Sequence, residues 1–216
     1  MSTTYTLWHG SRHWEGTPTI QGPKKGRGEL GPGLYVTTHF ARAQDYSKGG
    51  GVVRRIIFEP RYILEDVSLS LQDALEFTTS VVVKPKQGGI IERLIVNAQN
   101  HNHEEKVLLG SGTEHVHATS LVNMCINADA TLGGKGVALA EFLASQGIDC
   151  SFMHKSGNEY WGVIFNPRCI SSYAKVLAKE VGYDKRDLLA PALQRAVEQT
   201  RESVVQGESG LWVPRR

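Results

Sequence analysis

Three separated segments of the chain carry residues whose types suit chemistry on a bound ligand. His9 precedes Gly10 at the predicted end of a strand, where an imidazole is presented and a glycine lets a ligand approach the backbone closely. Tyr35 follows a glycine-rich stretch and Tyr46 lies further along, so two aromatic rings are available to stack on a planar group. Glu159 is a lone carboxylate at the start of an otherwise apolar run.

Each of these segments also has a structural explanation when it is taken alone. A histidine at a strand end is commonly a hydrogen-bonded structural residue, tyrosines beside a glycine-rich turn commonly belong to the core, and a glutamate that begins a strand is commonly a solvated charge. The occurrence of all three in one chain favours a shared functional site over three independent structural roles.

Six strands are predicted to position these residues. Runs rich in β-branched and aromatic side chains predict strands at 3–8, 33–37, 52–59, 148–154, 159–165 and 171–177. The first strand is expected to end at His9, and residues 155–158 are expected to form the turn of a hairpin. Thr37 or Thr38 is expected to cap a helix that reaches about Ser47.

The remaining segments predict helices and one long loop. Apolar residues recur at helical spacing over 70–78, 89–99 and 135–146, and Gly147 is placed to end the last of these helices. Residues 16–33 hold six glycines and three prolines and predict a long loop of functional importance. The fold class is α+β, with one domain over residues 1–182 and a C-terminal helical extension and loose tail over 183–216.

The three segments resemble the motifs of the poly(ADP-ribose) polymerase-like branch of the ADP-ribosyltransferase superfamily, whose site contains a histidine, a tyrosine and a glutamate. LWHGSR is similar to the first motif, GPGLYVTTHFARAQDYS to the second and NEYWGVIFNPRCI to the third. Their order and rough spacing match over residues 7–170, although residues 60–145 contain no comparable motif. The resemblance implies a split β-sheet fold with an NAD+ cleft between two packed sheets.

The resemblance also implies a role for each matching residue. Glu159 stabilises the positive charge that develops when the bond between nicotinamide and ribose breaks, through a transition state like that of glycoside hydrolysis. His9 binds the ribose of the adenosine half, and Tyr35 and Tyr46 bracket the nicotinamide ring. The catalytic residues are therefore expected to be His9, Tyr35 and Glu159, with NAD+ as co-substrate and no metal.

One position departs from the resembling family. Many members carry a serine three residues before the second tyrosine, and its hydroxyl binds the nicotinamide carboxamide; Ala43 stands at that position here. Carboxamide recognition is then expected to rest on the backbone of Gly10, together with Ser11.

The expected function is transfer of a single ADP-ribose unit from NAD+ to a macromolecular acceptor. A small transferase of this type resembles bacterial or phage toxins and anti-phage defence effectors, so an antitoxin is a possible partner. A nucleic-acid acceptor is slightly favoured over a protein, because basic residues are available to contact phosphates. These residues are Lys24, Lys25, Arg27, Arg54, Arg55, Lys84 and Lys86.

Several alternatives share parts of this pattern. A protein mono-ADP-ribosyltransferase and an NAD+ glycohydrolase would use the same site, whereas a non-enzymatic binding module would be expected to lack Glu159. A tRNA 2′-phosphotransferase relies on arginine and histidine, so Glu159 argues against it. The branch with arginine, serine and Glu-x-Glu fits poorly, because the segment before Glu159 lacks the first acidic or amide residue.

Composition excludes few functions but narrows the setting. The 216 residues carry a formal charge of +2, which predicts no strongly charged partner. Three cysteines without CxxC spacing predict neither a disulfide framework nor a zinc site. The pairs His101/His103 and His115/His117 are weak metal candidates in polar surroundings. A cytoplasmic protein without signal peptide or membrane contact is expected.

Overall fold

The computed structural model describes residues 4–12, 16–20, 30–48, 51–100, 114–126, 131–177, 204–206 and 212–214. The architecture is mixed α/β, with five α-helices and a seven-stranded mixed sheet among these residues. None of the described helices has both the length and the apolar composition that crossing a bilayer requires.

The six predicted strands and the four helices predicted before residue 147 are found with shifted boundaries. The strands of the main sheet are β1 (Tyr5–Ser11), β2 (Leu34–Thr37), β3 (Val52–Phe58), β4 (Tyr62–Ile63), β7 (Ile148–Ser156), β8 (Glu159–Ile164) and β9 (Ile170–Val176). The helices are α1 (Phe40–Ser47), α2 (Leu71–Val81), α3 (Lys84–Asn100), α4 (Ala118–Cys125) and α5 (Gly136–Ser145). Two further pairs of strands form small sheets: β5 (Ser68–Ser70) with β6 (His115–His117), and β10 (Val204–Gln206) with β11 (Trp212–Pro214).

The main sheet consists of two halves that meet at one residue pair. The strand order is β4-β7-β8-β2-β1-β3-β9, and β1 pairs with β2 only through Trp8 and Thr37. Tyr5 of β1 nevertheless stacks on Phe152 of β7, with ring centroids 5.5 Å apart, although two strands separate them in the sheet. The sheet is therefore curled, so that its two halves face each other across an apolar layer. Hydrogen bonds link all seven strands, which corrects the expectation of two separate packed sheets.

The core is divided into three layers around this sheet. One cluster fills the interior of the curl and includes Leu7, Ile56 and Ile164. A second packs α2, α3, α4 and α5 against the opposite side of β7 and β8, through Val163 and Phe165. A third packs α1 on β1 and β3, and in it the rings of Trp8 and Phe40 meet edge to face, with centroids 5.1 Å apart.

Two local predictions about β1 and α1 are wrong. Strand β1 continues through Gly10 to Ser11, because it pairs with β3 along its whole length. Helix α1 has His39, not Thr37 or Thr38, at its N-cap. The hydroxyl of Thr38 is used elsewhere, since it accepts a hydrogen bond from the backbone N–H of Tyr160 on β8, at 2.9 Å.

The C-terminal prediction is wrong for the six residues that are described there. Residues 204–206 and 212–214 pair as an antiparallel hairpin, whereas a helix and a loose tail were expected. Residues 183–203 lie outside the described residues, so the helix predicted for them stays a prediction.

Candidate active site

Glu159 is the first residue of β8, and its carboxylate is held by two neighbours. Arg42 of α1 donates from Nε to Oε1 at 2.8 Å and from Nη2 to Oε2 at 3.3 Å. The indole N–H of Trp161 donates to Oε1 at 2.5 Å. Residues i and i+2 of a strand share a face, so Trp161 reaches Glu159 directly. The side chain of Glu159 is 9% exposed.

The surroundings of Glu159 favour its ionised form. The hydrogen bond from Arg42 is the largest influence and holds the pKa of this carboxyl below its ordinary value, against the opposing effect of burial. The bond from Trp161 and the nearby charges of Arg42 and His39 act in the same direction. Glu159 is therefore negatively charged at neutral pH, as a group that stabilises a developing cation must be.

The two oxygens of Glu159 are not equally occupied. Oε1 accepts two short hydrogen bonds, which is its usual capacity, whereas Oε2 accepts one longer bond from Arg42. Oε2 is consequently the oxygen with a lone pair left for a ligand hydroxyl.

Tyr35 lies on the same face of the sheet as Glu159. In the register of β2 with β8, Tyr35 is opposite Val163 and Thr37 is opposite Trp161. Since alternate residues share a face, Tyr35, Trp161 and Glu159 all project to one side. At a rise of roughly 3.3 Å per residue, Tyr35 and Glu159 are about 13 Å apart along the strand direction.

Tyr46 extends the same surface from helix α1. Its ring meets that of Trp161 edge to face with centroids 6.3 Å apart, and the residue is 53% exposed. Tyr35 is 36% exposed, while its hydroxyl donates to the carbonyl of Gly31 at 2.8 Å and accepts from the N–H of Leu30 at 3.2 Å. Tyr35 is thus fixed at its hydroxyl end and keeps exposed surface for a ligand.

His9 spans the opening between the two halves of the sheet. Its Nδ1 lies 2.6 Å from the carbonyl oxygen of Tyr35. Because a carbonyl only accepts, Nδ1 carries the proton and Nε2 remains an acceptor. Burial lowers the pKa of His9, the bond to Tyr35 opposes this, and the charge of Arg54 lowers it further. His9 is therefore largely neutral at pH 7.

Gly10 and Ala43 are in contact with each other. A Cβ atom on Gly10 would lie 1.7 Å from the carbonyl oxygen of Ala43, and Ala43 is buried. The glycine is therefore required for the close packing of α1 on β1, a role that the sequence did not indicate. Ser11, which is partly exposed, ends β1 beside this contact.

These contacts join the predicted site residues in two pairs. His9 is bonded to Tyr35, and Tyr46 reaches Glu159 through Trp161. The strand register places Tyr35 and Glu159 on one face, whereas His9, which follows Trp8 on β1, projects from the opposite face.

Sequence reasoning missed Arg42 and Trp161. Arg42 is 117 residues from Glu159, so spacing gave no signal for it. Trp161 was detectable, because its position two residues after Glu159 places both on one face of any strand. The ammonium group of Lys155 also lies over the indole ring of Trp161, with Nζ 4.4 Å from the ring centroid.

The basic residues singled out in the sequence lie on different elements. Arg54 and Arg55 are neighbours on β3 and therefore point to opposite faces of the sheet. Lys84 and Lys86 belong to α3, which packs against α2, α4 and β6. Residues 24–27 lie outside the described residues. The expected phosphate-contacting surface is therefore not assembled from the four described cations.

His117 and Cys125 are two of the remaining candidates, and both are used by the fold. His117 caps α4, since its Nδ1 accepts from the backbone N–H of Thr119 at 3.2 Å. His101 and His103 lie outside the described residues, and the described ones contain no group of three potential metal ligands. Cys125 is buried, which raises the pKa of its thiol to about 12, so the thiolate is scarce at neutral pH.

Comparisons with protein-family models, with curated proteins and with solved structures found no match for this chain. Any function must therefore be argued from the site itself.

Proposed function

We propose that this protein is a mono-ADP-ribosyltransferase that uses NAD+ as its co-substrate and Glu159 as its principal catalytic residue. The observation that carries the proposal is the state of Glu159: a buried, ionised carboxylate whose Oε2 accepts a single hydrogen bond, on the same side of the sheet as two exposed tyrosine rings.

The chemistry requires a fixed negative charge beside a ribose. The bond between nicotinamide and C1′ of the ribose breaks, nicotinamide leaves with the electron pair, and positive charge develops on the ribose. A nucleophilic oxygen or nitrogen of the acceptor then bonds C1′ and loses its proton. Oε2 of Glu159 accepts a hydrogen bond from a ribose hydroxyl, and its negative charge stabilises the cation. Arg42 and Trp161 keep the carboxylate in one orientation, so that it need not reorganise during the reaction.

The other predicted residues fit the two ends of a dinucleotide. Tyr35 and Tyr46 offer exposed rings for the nicotinamide, which holds the reacting bond beside Glu159. His9, neutral and with Nε2 as acceptor, binds a hydroxyl of the adenosine ribose. In this proposal NAD+ binds at the opening between β1 and β2, which corresponds to the NAD+ cleft of an ADP-ribosyltransferase-like fold.

The acceptor is proposed to be a macromolecule; the basic residues of the sequence slightly favour a nucleic acid, although the four that are described do not form one surface. A toxin or defence effector in the cytoplasm, neutralised by an antitoxin, is the biological setting that the resemblance suggests.

The test is to incubate the purified protein with NAD+ labelled in its adenosine half and with total cell extract. Macromolecular label that is sensitive to nuclease identifies a nucleic-acid acceptor, and label sensitive to protease identifies a protein. Glu159→Gln serves as the inactive variant, and Glu76→Gln, an exposed glutamate on α2, serves as the matched control. Label released only as free ADP-ribose would make the protein an NAD+ glycohydrolase, and intact NAD+ in every arm would overturn the proposal.

A further inference from the structure

His39 is the next neighbour of Glu159 in the register of β2 with β8. Strand β2 ends at Thr37, but the pairing continues one residue further, since the backbone N–H of Thr38 donates to the carbonyl of Tyr160 at 3.0 Å. The following position in the same register sets His39 opposite Glu159. His39 is still extended, with a φ of −110° and a ψ of 119°. Opposed residues of antiparallel strands share a face and have Cβ atoms roughly 5 Å apart.

One nitrogen of the His39 ring is used by the fold and the other is not. Nδ1 lies 2.9 Å from the hydroxyl oxygen of Thr38, which also accepts from the backbone N–H of Tyr160. Nε2 has no hydrogen-bond partner among the residues that the structure describes. Although His39 is the N-cap residue of α1, its side chain makes no capping bond, so the helix does not depend on the imidazole. The residue is partly exposed, so a ligand can reach it.

The imidazole is close enough to Glu159 for the two groups to interact electrostatically. The hydrogen bond from Arg42 is the largest influence that lowers the pKa of Glu159, and a charge on His39 acts in the same direction. A proton gained by the imidazole therefore lies beside a negative charge. The cation of Lys155 lies further out, over the ring of Trp161.

The proposed transfer needs a group that takes up a proton, because the acceptor loses one as it bonds C1′. Glu159 is poorly suited to this task. Its lowered pKa means that it holds a proton weakly, and its Oε2 is used by the ribose hydroxyl. Arg42 and Trp161 contact it only as donors. Histidine is the side chain that most often acts as a general base, because imidazole exchanges a proton near neutral pH.

We propose that His39 is the general base that deprotonates the acceptor. The inference rests on the proposed function and adds a catalytic residue to that site. Nicotinamide leaves C1′ with the electron pair of the broken bond, a lone pair of the acceptor oxygen or nitrogen forms the new bond, and the acceptor proton passes to Nε2 of His39. Nδ1 keeps its own proton towards Thr38. The imidazolium then releases one proton to water, so NAD+ and the acceptor give the ADP-ribosylated acceptor, nicotinamide and a proton.

This role also narrows the class of acceptor group. A base is needed only where the attacking atom carries a proton at neutral pH, as a hydroxyl or an amide or ring N–H does. A carboxylate is already ionised and needs none. The acceptor group is therefore a hydroxyl or an N–H, and the product is expected to resist neutral hydroxylamine, which cleaves esters of carboxylates.

The experiment measures, for the full chain, the affinity for NAD+ and the rate at which its labelled adenosine half enters macromolecules of total cell extract. We expect His39→Asn to slow transfer about 100-fold, as the loss of a general base does, with NAD+ affinity and Tm unchanged. Asparagine is a favourable N-cap residue, so this variant preserves the start of α1. His154→Asn is the matched control and is expected to transfer at the unchanged rate. His154 is opposite Tyr160 and projects from the other face of the sheet.

Chemical rescue separates a base from a merely structural residue. Added imidazole is expected to restore part of the transfer rate of His39→Ala, by replacing the missing ring, but not that of Glu159→Gln. Full transfer by His39→Asn, a His39→Asn chain that does not fold, no rescue of His39→Ala, or label released by hydroxylamine would each overturn the inference and leave the proposed function standing. Intact NAD+ with the unchanged protein would overturn the proposed function, and the inference with it.

Discussion

In two regions of this molecule a carboxylate is bound by an arginine, and the two carboxylates differ in how much hydrogen-bond acceptor capacity remains unused. Asp149 on β7 is completely buried and accepts from the backbone and side chain of Arg61 and from the side-chain amide of Asn166. Glu159 on β8 accepts from Arg42 and Trp161 but keeps capacity on Oε2. The first carboxylate is fully used by the protein, whereas the second is held by the protein and available to a ligand.

The pKa values of both carboxyls are lowered, but the largest influence differs between the two. Burial is the largest influence on Asp149 and would raise its pKa, but the hydrogen bonds from Arg61 and Asn166 together outweigh it. For Glu159 the bond from Arg42 is the largest influence, and burial is secondary. An arginine partner alone therefore does not mark a functional carboxylate; unused acceptor capacity does.

The largest difference is expected from Glu159→Gln. The amide can keep its oxygen towards Arg42 and Trp161, but it then places an NH2 group where Oε2 accepts the ribose hydroxyl. We expect NAD+ binding to persist and the transfer rate to fall about 100-fold or more, as lost transition-state electrostatics does. Single-turnover kinetics with labelled NAD+ measure both quantities. Transfer at the rate of the unchanged protein would remove Glu159 from the mechanism.

The converse result is expected from Asp149→Asn. Loss of the buried charge leaves Arg61 and Asn166 without their partner and is expected to lower the free energy of unfolding by about 2 kcal/mol. The transfer rate of the folded fraction is expected to stay unchanged. Urea denaturation, with activity assayed below the transition, measures both. An Asp149→Asn protein of full stability but impaired transfer would reverse the roles of the two carboxylates.

The pH dependence of the free energy of unfolding is a second way to test the structural role of Asp149. A carboxyl whose pKa is lower in the folded state than in the unfolded state stabilises the fold above its unfolded pKa and loses that contribution as the pH falls through its folded pKa. The unchanged protein should therefore lose stability in acid more steeply than Asp149→Asn. Parallel unfolding curves across the acid range would show that Asp149 contributes nothing.

Arg42→Met is expected to have an intermediate effect. Without its largest stabilising partner, the carboxyl of Glu159 has a higher pKa, so the acid limb of the pH–rate profile moves to higher pH. We expect the transfer rate at neutral pH to fall about 10-fold, with Arg42→Lys restoring part of it. Asp45→Asn removes a different contact of Arg42, a 3.6 Å ion pair with an exposed partner, and is the control. An unmoved acid limb in Arg42→Met would separate Arg42 from the ionisation of Glu159.

The smallest effect is expected from Trp161→Phe. Phenylalanine keeps an aromatic ring beside Tyr46 and Lys155 but removes the N–H that fixes Oε1. We expect the transfer rate to fall about 5-fold, which corresponds to roughly 1 kcal/mol, the net contribution of one ordinary hydrogen bond. The affinity for nicotinamide should be unchanged, because Tyr46 keeps its aromatic neighbour. A selective loss of nicotinamide affinity would assign Trp161 to binding rather than to positioning.

Local sequence signals were sufficient for most elements of the described fold. The β-branched and aromatic runs identified the six longer strands, and Gly147, with a φ of +84°, ends α5 as expected. Helix α4 was missed, and so were the short strands β4, β5 and β6 and the strand pair β10–β11. Strands of two or three residues give no periodic pattern and are stabilised only by their pairing.

The sequence by itself determined the order of the strands along the chain, the helix that follows β2, and the lone carboxylate at the head of β8. Only the tertiary structure decided that α1 packs against β1 through Gly10 and Ala43, and that it brings Arg42 to Glu159. It also decided that Arg54 lies beside His9 and Arg55 does not. The physical reason is that strand and helix formation depends on neighbours in sequence, whereas hydrogen bonding and charge depend on neighbours in space. Those neighbours are set by the register of strands that are far apart in the chain.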